Sequence, residues 1–99
     1  MTTDPADPND HTPPTQPTNI TANKDGAFIN LRWDPSTDDV APQSFIRYDV
    51  YVNGELRTVV VGSTTAQVES DYGVTNNISI IAVDTADNES VPGTITVAS

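Results

Sequence analysis

Residues 46–61 read IRYDVYVNGELRTVVV, and this stretch decides the fold. Tyr48, Val50 and Val52 alternate with Arg47, Asp49 and Tyr51. A period of two puts one set on each face of an extended chain, which is the pattern of a half-buried β-strand. Asn53-Gly54 follows, a pair that accepts the positive φ values of a two-residue hairpin turn. The segment after it, ELRTVVV, is β-branched and is expected to run back antiparallel. Gly62 and Ser63 then break the strand.

The same alternation extends outward in both directions. In AFINLRW (27–33), Ile29, Leu31 and Trp33 share one face and Phe28, Asn30 and Arg32 the other. Asp25-Gly26 precedes this run as a tight turn, and Ile20 and Ala22 mark a short first strand before it. Asp34-Pro35 ends it, because proline cannot donate to an inner ladder. Residues 34–44 read as an acidic, proline-flanked loop. Downstream, Ala66 and Val68 mark a fifth strand, and residues 70–76 a crossing loop. Ile78, Ile80 and Ala82 line a long sixth strand, and Ile95 and Val97 a seventh. Seven short strands at regular turn spacing, with no helical period, predict an all-β, immunoglobulin-like sandwich of two antiparallel sheets. The candidate core is Ile29, Leu31, Trp33, Tyr48, Val50, Ile80 and Ala82.

At 99 residues the chain has material for one such domain. Residues 1–16, MTTDPADPNDHTPPTQ, are Pro-, Thr- and Asp-rich and nearly free of apolar side chains. They cannot build a core and are expected to form an extended linker, with the domain at 17–99. His11, the only histidine, falls in this segment, far from any ligand set.

Fourteen acids against four bases give a net charge of −10. Such a field repels phosphate backbones and anionic lipid, so neither nucleic acid nor a membrane is an expected partner. No apolar run approaches the length of a membrane span. The absence of cysteine removes disulfides, thiolate metal sites and cysteine catalysis. No GxSxG or phosphate-loop pattern occurs either, and a chain this small has little room for a cleft, so no catalytic residue and no cofactor is expected.

Four stretches carry a family likeness: PTQPTNITA (14–22), INLRWDPSTDD (29–39), YDVYVNGE (48–55) and AVDTADNES (82–90). In this order and spacing, residues 17–99 resemble a fibronectin type III domain. The resemblance implies that Trp33 lies between the sheets with Tyr48 near it. AVDTADNES resembles modules of bacterial extracellular polysaccharide-degrading enzymes more than animal adhesion repeats. It implies a secreted, monomeric, non-catalytic spacer whose partners are neighbouring domains of the same polypeptide, with polysaccharide as a further candidate. One position departs from the pattern. The family usually carries a Leu, a Pro-Gly pair and a corner Tyr before the sixth strand, where this chain has Ser70, Tyr72, Gly73 and Asn76. Either Tyr72 fills that place from a shifted position or Asn76 satisfies the same backbone groups.

Two surface features remain as candidate sites. Asp34, Asp38 and Asp39 lie in one loop and Asp84, Asp87 and Glu89 in another, at the same end of such a sandwich. Hard carboxylate oxygens there are weak calcium candidates, without EF-hand spacing. Plain solvation, turn capping and hydrogen bonding are the favoured reading of them. Tyr51, Ile81 and Val83 fall on the outward parity of adjacent strands, with Val59 or Val61 beside them, and predict an exposed apolar binding face. Cover by the long side chains of Arg47 or Arg57 is the alternative. The 85–90 loop holds no Arg-Gly-Asp triplet. The triplets starting at Asn19, Asn77 and Asn88 match the glycosylation pattern but are expected by chance in so Asn- and Thr-rich a chain.

Overall fold

A computed structural model describes residues 13–38 and 45–98. His11 and Asp39 lie outside the described residues, as does most of the segment read as a linker. The order is β1 (Thr18–Asp25), β2 (Phe28–Asp34), β3 (Arg47–Val52), β4 (Glu55–Val61), β5 (Thr65–Glu69), β6 (Asn76–Val83) and β7 (Gly93–Val97). They form two antiparallel sheets, β1-β2-β5 and β4-β3-β6-β7. The period-two patterns dictate this: β2 is buried strictly at every second residue, as its alternation requires.

The inner faces meet in one core. Ile29, Leu31, Trp33, Tyr48, Val50, Ile80 and Ala82 are all buried, joined by Ile46, Val52, Val68 and Ile78. Trp33 from one sheet and Tyr48 from the other meet edge to face, ring centroids 5.2 Å apart. An edge-on aromatic pair adds about 0.5–1.5 kcal/mol beyond the area it buries. The Tyr48 hydroxyl does not waste its polarity there: it accepts a hydrogen bond from the Ser36 backbone N–H at 2.8 Å. The Asn53-Gly54 turn has φ of 52° and 82°. Positive values at both central residues fit the right-handed twist of the hairpin. Opposite it, β4 carries one extra residue between the pairs Val50–Thr58 and Tyr51–Leu56, a bulge that bends this edge strand.

The chain passes through the sandwich from one pole to the other. Packing begins before residue 17: Pro14 is buried, and Thr15 exchanges two hydrogen bonds with Thr37, its N–H donating to the Thr37 carbonyl and its Oγ1 accepting the Thr37 N–H. Gln16 Nε2 donates to the Pro92 carbonyl. Pro14, Thr15 and Gln16, in the stretch assigned to the linker, thus pack on the sandwich, because polar Thr15 and Gln16 find backbone partners. Gly93 opens β7 at this entry pole. A Cβ on Gly93 would collide with the Pro17 carbonyl oxygen and lie 2.8 Å from Ile20 Cδ1, so only glycine lets β1 and β7 approach. β7 then runs to Val97, which pairs with Asn76 at the start of β6, beside the Asn53 turn. The chain leaves there, at the opposite pole.

Candidate functional site

The described residues of the two acidic loops sit at the entry pole, where Thr18 pairs with Asp34 and Arg47 with Val83. No group of three metal-ligating side chains able to hold an ion occurs among the described residues. Asp84 shows why. It is buried, 3% exposed. Its Oδ1 accepts the backbone N–H groups of Ala86 and Asn88, both at 2.9 Å, and its Oδ2 accepts Asn88 Nδ2 at 3.0 Å. An Asp that bonds to the backbone ahead of it shapes a turn. Asp87 takes the left-handed conformation this turn needs, φ 64°. Asp34 accepts Asn19 Nδ2 at 2.6 Å across the β1–β2 pair. Glu89 forms a lone bridge with Val83. The carboxylates of Asp34 and Asp84 thus serve their own loops and strand ends.

The outer face of β4-β3-β6 differs from its sequence reading at one residue. Val83 is 1% exposed and is not part of any surface patch. Its parity is outward, but the 84–90 loop folds back along the end of β6. Ser90 N–H donates to the Ala82 carbonyl, and Ser90 Oγ accepts the Ala82 N–H. Period two cannot register such a return. Tyr51 and Ile81 are half-buried. Between them lies Asp49, nearly buried and held by Arg47 in an ion pair of 2.9 Å. The exposed apolar surface lies farther out, on edge strand β4: Leu56, Val59 and Val61 are 50%, 45% and 60% exposed.

At the exit pole the departure from the usual corner resolves. Tyr72 is wholly exposed and fills nothing. Asn76 is fully buried and bonds to the 70–76 loop: Oδ1 accepts the Asp71 N–H at 2.7 Å, and Nδ2 reaches the carbonyls of Asp71 and Val74 at 3.4 Å. Beside it, Arg57 ties the two sheets together. It donates to Glu55 Oε1, the Glu69 carbonyl and Asp71 Oδ1 at 2.7, 2.9 and 2.7 Å. Asn53 Nδ2 donates to the other Asp71 oxygen at 2.8 Å. These donors, Asn53 foremost, hold the Asp71 carboxyl below the usual carboxylate range. The same Asp71 contact raises Arg57 above its ordinary value.

A sandwich of this shape is shared with known proteins. The central fibronectin-III array of RIM-binding protein superposes with a TM-score of 0.71 over 91% of this chain at 23% identity, using 36% of that chain. The fold is the fibronectin type III fold. No protein-family model and no curated protein matches the sequence of this fibronectin type III-like domain. Two bacterial enzymes contain similar domains. The spore cortex lytic enzyme SleM of Clostridium perfringens aligns with 89% of this chain at TM-score 0.76 and 21% identity. A chitinase from Bacillus thuringiensis aligns with 88% at TM-score 0.75 and 29% identity. The chain spans 29% of the first enzyme's length and 13% of the second's.

Proposed function

We propose that this chain is a non-catalytic accessory module of a larger secreted protein, a bacterial carbohydrate-active enzyme, and that it serves there as a monomeric spacer. The supporting observation is that nearly all of it aligns with a minor part of two bacterial enzymes, the nearer in sequence a chitinase. Its topology suits the role. The chain enters at the pole of Pro14 and Gly93 and leaves at the pole of Asn53 and Asn76, so flanking domains are held apart by the length of the sandwich. The acidic surface suits solubility outside the cell. A fold alone assigns no function, and this reading leans on the relatives.

A second reading is favoured by the apolar strip of Leu56, Val59 and Val61 beside Tyr51 and Ile81: contact with a neighbouring domain or with insoluble polysaccharide. Mixing the purified domain with chitin, cellulose and xylan particles separates the two. The spacer reading expects full recovery in the supernatant from all three. Depletion by one of them, abolished by Tyr51→Ala, would replace it with the binding reading.

A further inference from the structure

The outer face of the other sheet, β1-β2-β5, carries a surface that neither reading uses. Its outward side chains are Thr21 and Asn23 from β1, Asn30 and Arg32 from β2, and Thr65 and Gln67 from β5, all exposed. The registers set them in two rows across the strands, Thr21–Arg32–Thr65 and Asn23–Asn30–Gln67. Neighbours stand about 5 Å apart across a row and about 7 Å from row to row. They line a shallow depression of ≈ 660 Å³. Not one of its lining residues is a carboxylate, in a chain with 14 of them.

Two details show that these groups are available. Arg47 and Arg57 are both tied up in ion pairs, whereas Arg32, in the middle of its row, pairs with no carboxylate among the described residues. Its planar guanidinium offers five N–H donors. Asn30 and Gln67 are bonded to each other at 3.0 Å, Gln67 Nε2 donating to Asn30 Oδ1. That bond pairs the two exposed amides and leaves Asn30 Nδ2 as a donor and Gln67 Oε1 as an acceptor for a ligand. Phe28, 44% exposed on the same parity, stands one row beyond the depression, between Asp25 and Glu69. Amides, hydroxyls, one guanidinium and an aromatic edge form a hydrogen-bonding surface for a ligand that is polyhydroxylated and not ionic.

We propose that this face binds a neutral glycan chain. Vicinal hydroxyls would bridge the bonded Asn30–Gln67 pair, Arg32 would donate to ring or hydroxyl oxygens, and a sugar face would rest on Phe28. Charge argues for a neutral chain: Asp25, Asp34 and Glu69 flank the rows, and a net charge of −10 repels a polyuronate. An open, shallow surface pays for little desolvation, so the expected Kd is on the order of 1 mM. Within a longer protein already held on its polymer, such a site sees an effective concentration in the same range. The inference rests on the accessory reading only for its choice of probes.

Titration of the ¹⁵N-labelled domain with chitohexaose, cellohexaose and xylohexaose, followed by amide chemical shifts, tests it. At least one sugar should give saturable shifts at Thr21, Asn30, Arg32 and Gln67. Arg32→Ala and Asn30→Ala should each weaken binding at least tenfold while keeping the folded spectrum, since both side chains are exposed, and Tyr51→Ala should change nothing. Absence of saturable shifts with all three sugars overturns the proposal, as do shifts mapping to the Tyr51 face or tighter binding of oligogalacturonate. A millimolar site is compatible with full recovery from particles, so failure of the titration leaves the spacer role standing.

Discussion

Replacing Asn76 with alanine should cost this small domain a large share of its stability. The side chain is fully buried and serves three backbone groups of the 70–76 loop. Its shortest bond, 2.7 Å from the Asp71 N–H, is the one that matters; alanine leaves that donor without its partner, at about 1–3 kcal/mol. The two contacts at 3.4 Å exceed the normal range and add about 1 kcal/mol together. The expected loss is therefore about 2–4 kcal/mol, against a total of about 5–10 kcal/mol for a domain of this size. It should lower Tm by roughly 10–25 °C. Trp33, the chain's only tryptophan, is buried against Tyr48 and reports unfolding by fluorescence. In urea the midpoint should fall with an unchanged slope. Tyr72→Ala is the matched control and should shift stability by less than about 0.5 kcal/mol, as a surface change does. The reasoning is refuted if Asn76→Ala is as stable as the parent, or if Tyr72→Ala is the more damaging of the two.

Three further outcomes follow from the same structure. Asp84→Ala removes the caps on Ala86 and Asn88 and should cost about 2–3 kcal/mol in urea melts, while millimolar calcium should leave the parent's Tm where it is. Gly93→Ala forces a Cβ against the Pro17 carbonyl, and overpacking of that kind costs about 1–3 kcal/mol; calorimetry should show the loss, and a neutral result would mean that β1 and β7 can part. Asp71 is held below its ordinary pKa, so the stability it contributes is complete above the unfolded carboxylate range and is lost as pH falls through the lowered value. The gap in urea midpoint between the parent and Asp71→Asn should therefore be present at neutral pH and close below pH ~4; a gap that persists in acid contradicts the Asn53–Asp71–Arg57 network.

Much of the fold was legible because period-two burial is a local property. Ile29, Leu31 and Trp33 had to face one way once β2 was extended, and Asn53-Gly54 could hardly be anything but a two-residue turn. The misreadings share a different cause, since each depends on a segment returning from elsewhere. Val83 obeys its parity, but the loop after it folds back and covers it. Asp84, by contrast, caps a turn of its own neighbours, the turn capping its loop is read for, because its spacing to Asn88 lets one carboxylate hold the whole turn. Thr15 and Gln16 carry no hydrophobic signal, and only the meeting of the entry segment with Thr37 and Pro92 orders them. Asn76 could be named beforehand as one of two solutions at the missing corner, because a buried loop needs its backbone groups satisfied. Only the fold decides between it and Tyr72, by burying the first and exposing the second. The polar face of β1-β2-β5 was present as outward parity, but its lack of carboxylates appears only when three strands distant in sequence are laid side by side.

The proposed function places this domain inside a larger, secreted, glycan-cleaving protein. An antibody raised against the purified domain, used on the culture medium of the organism that makes it, tests this directly. The expected band is far heavier than 10.6 kDa, and the immunoprecipitate should release sugar from chitin, cellulose or xylan. A band at the mass of the domain alone, or a heavy band confined to the cell interior and inert toward all three polymers, would contradict it.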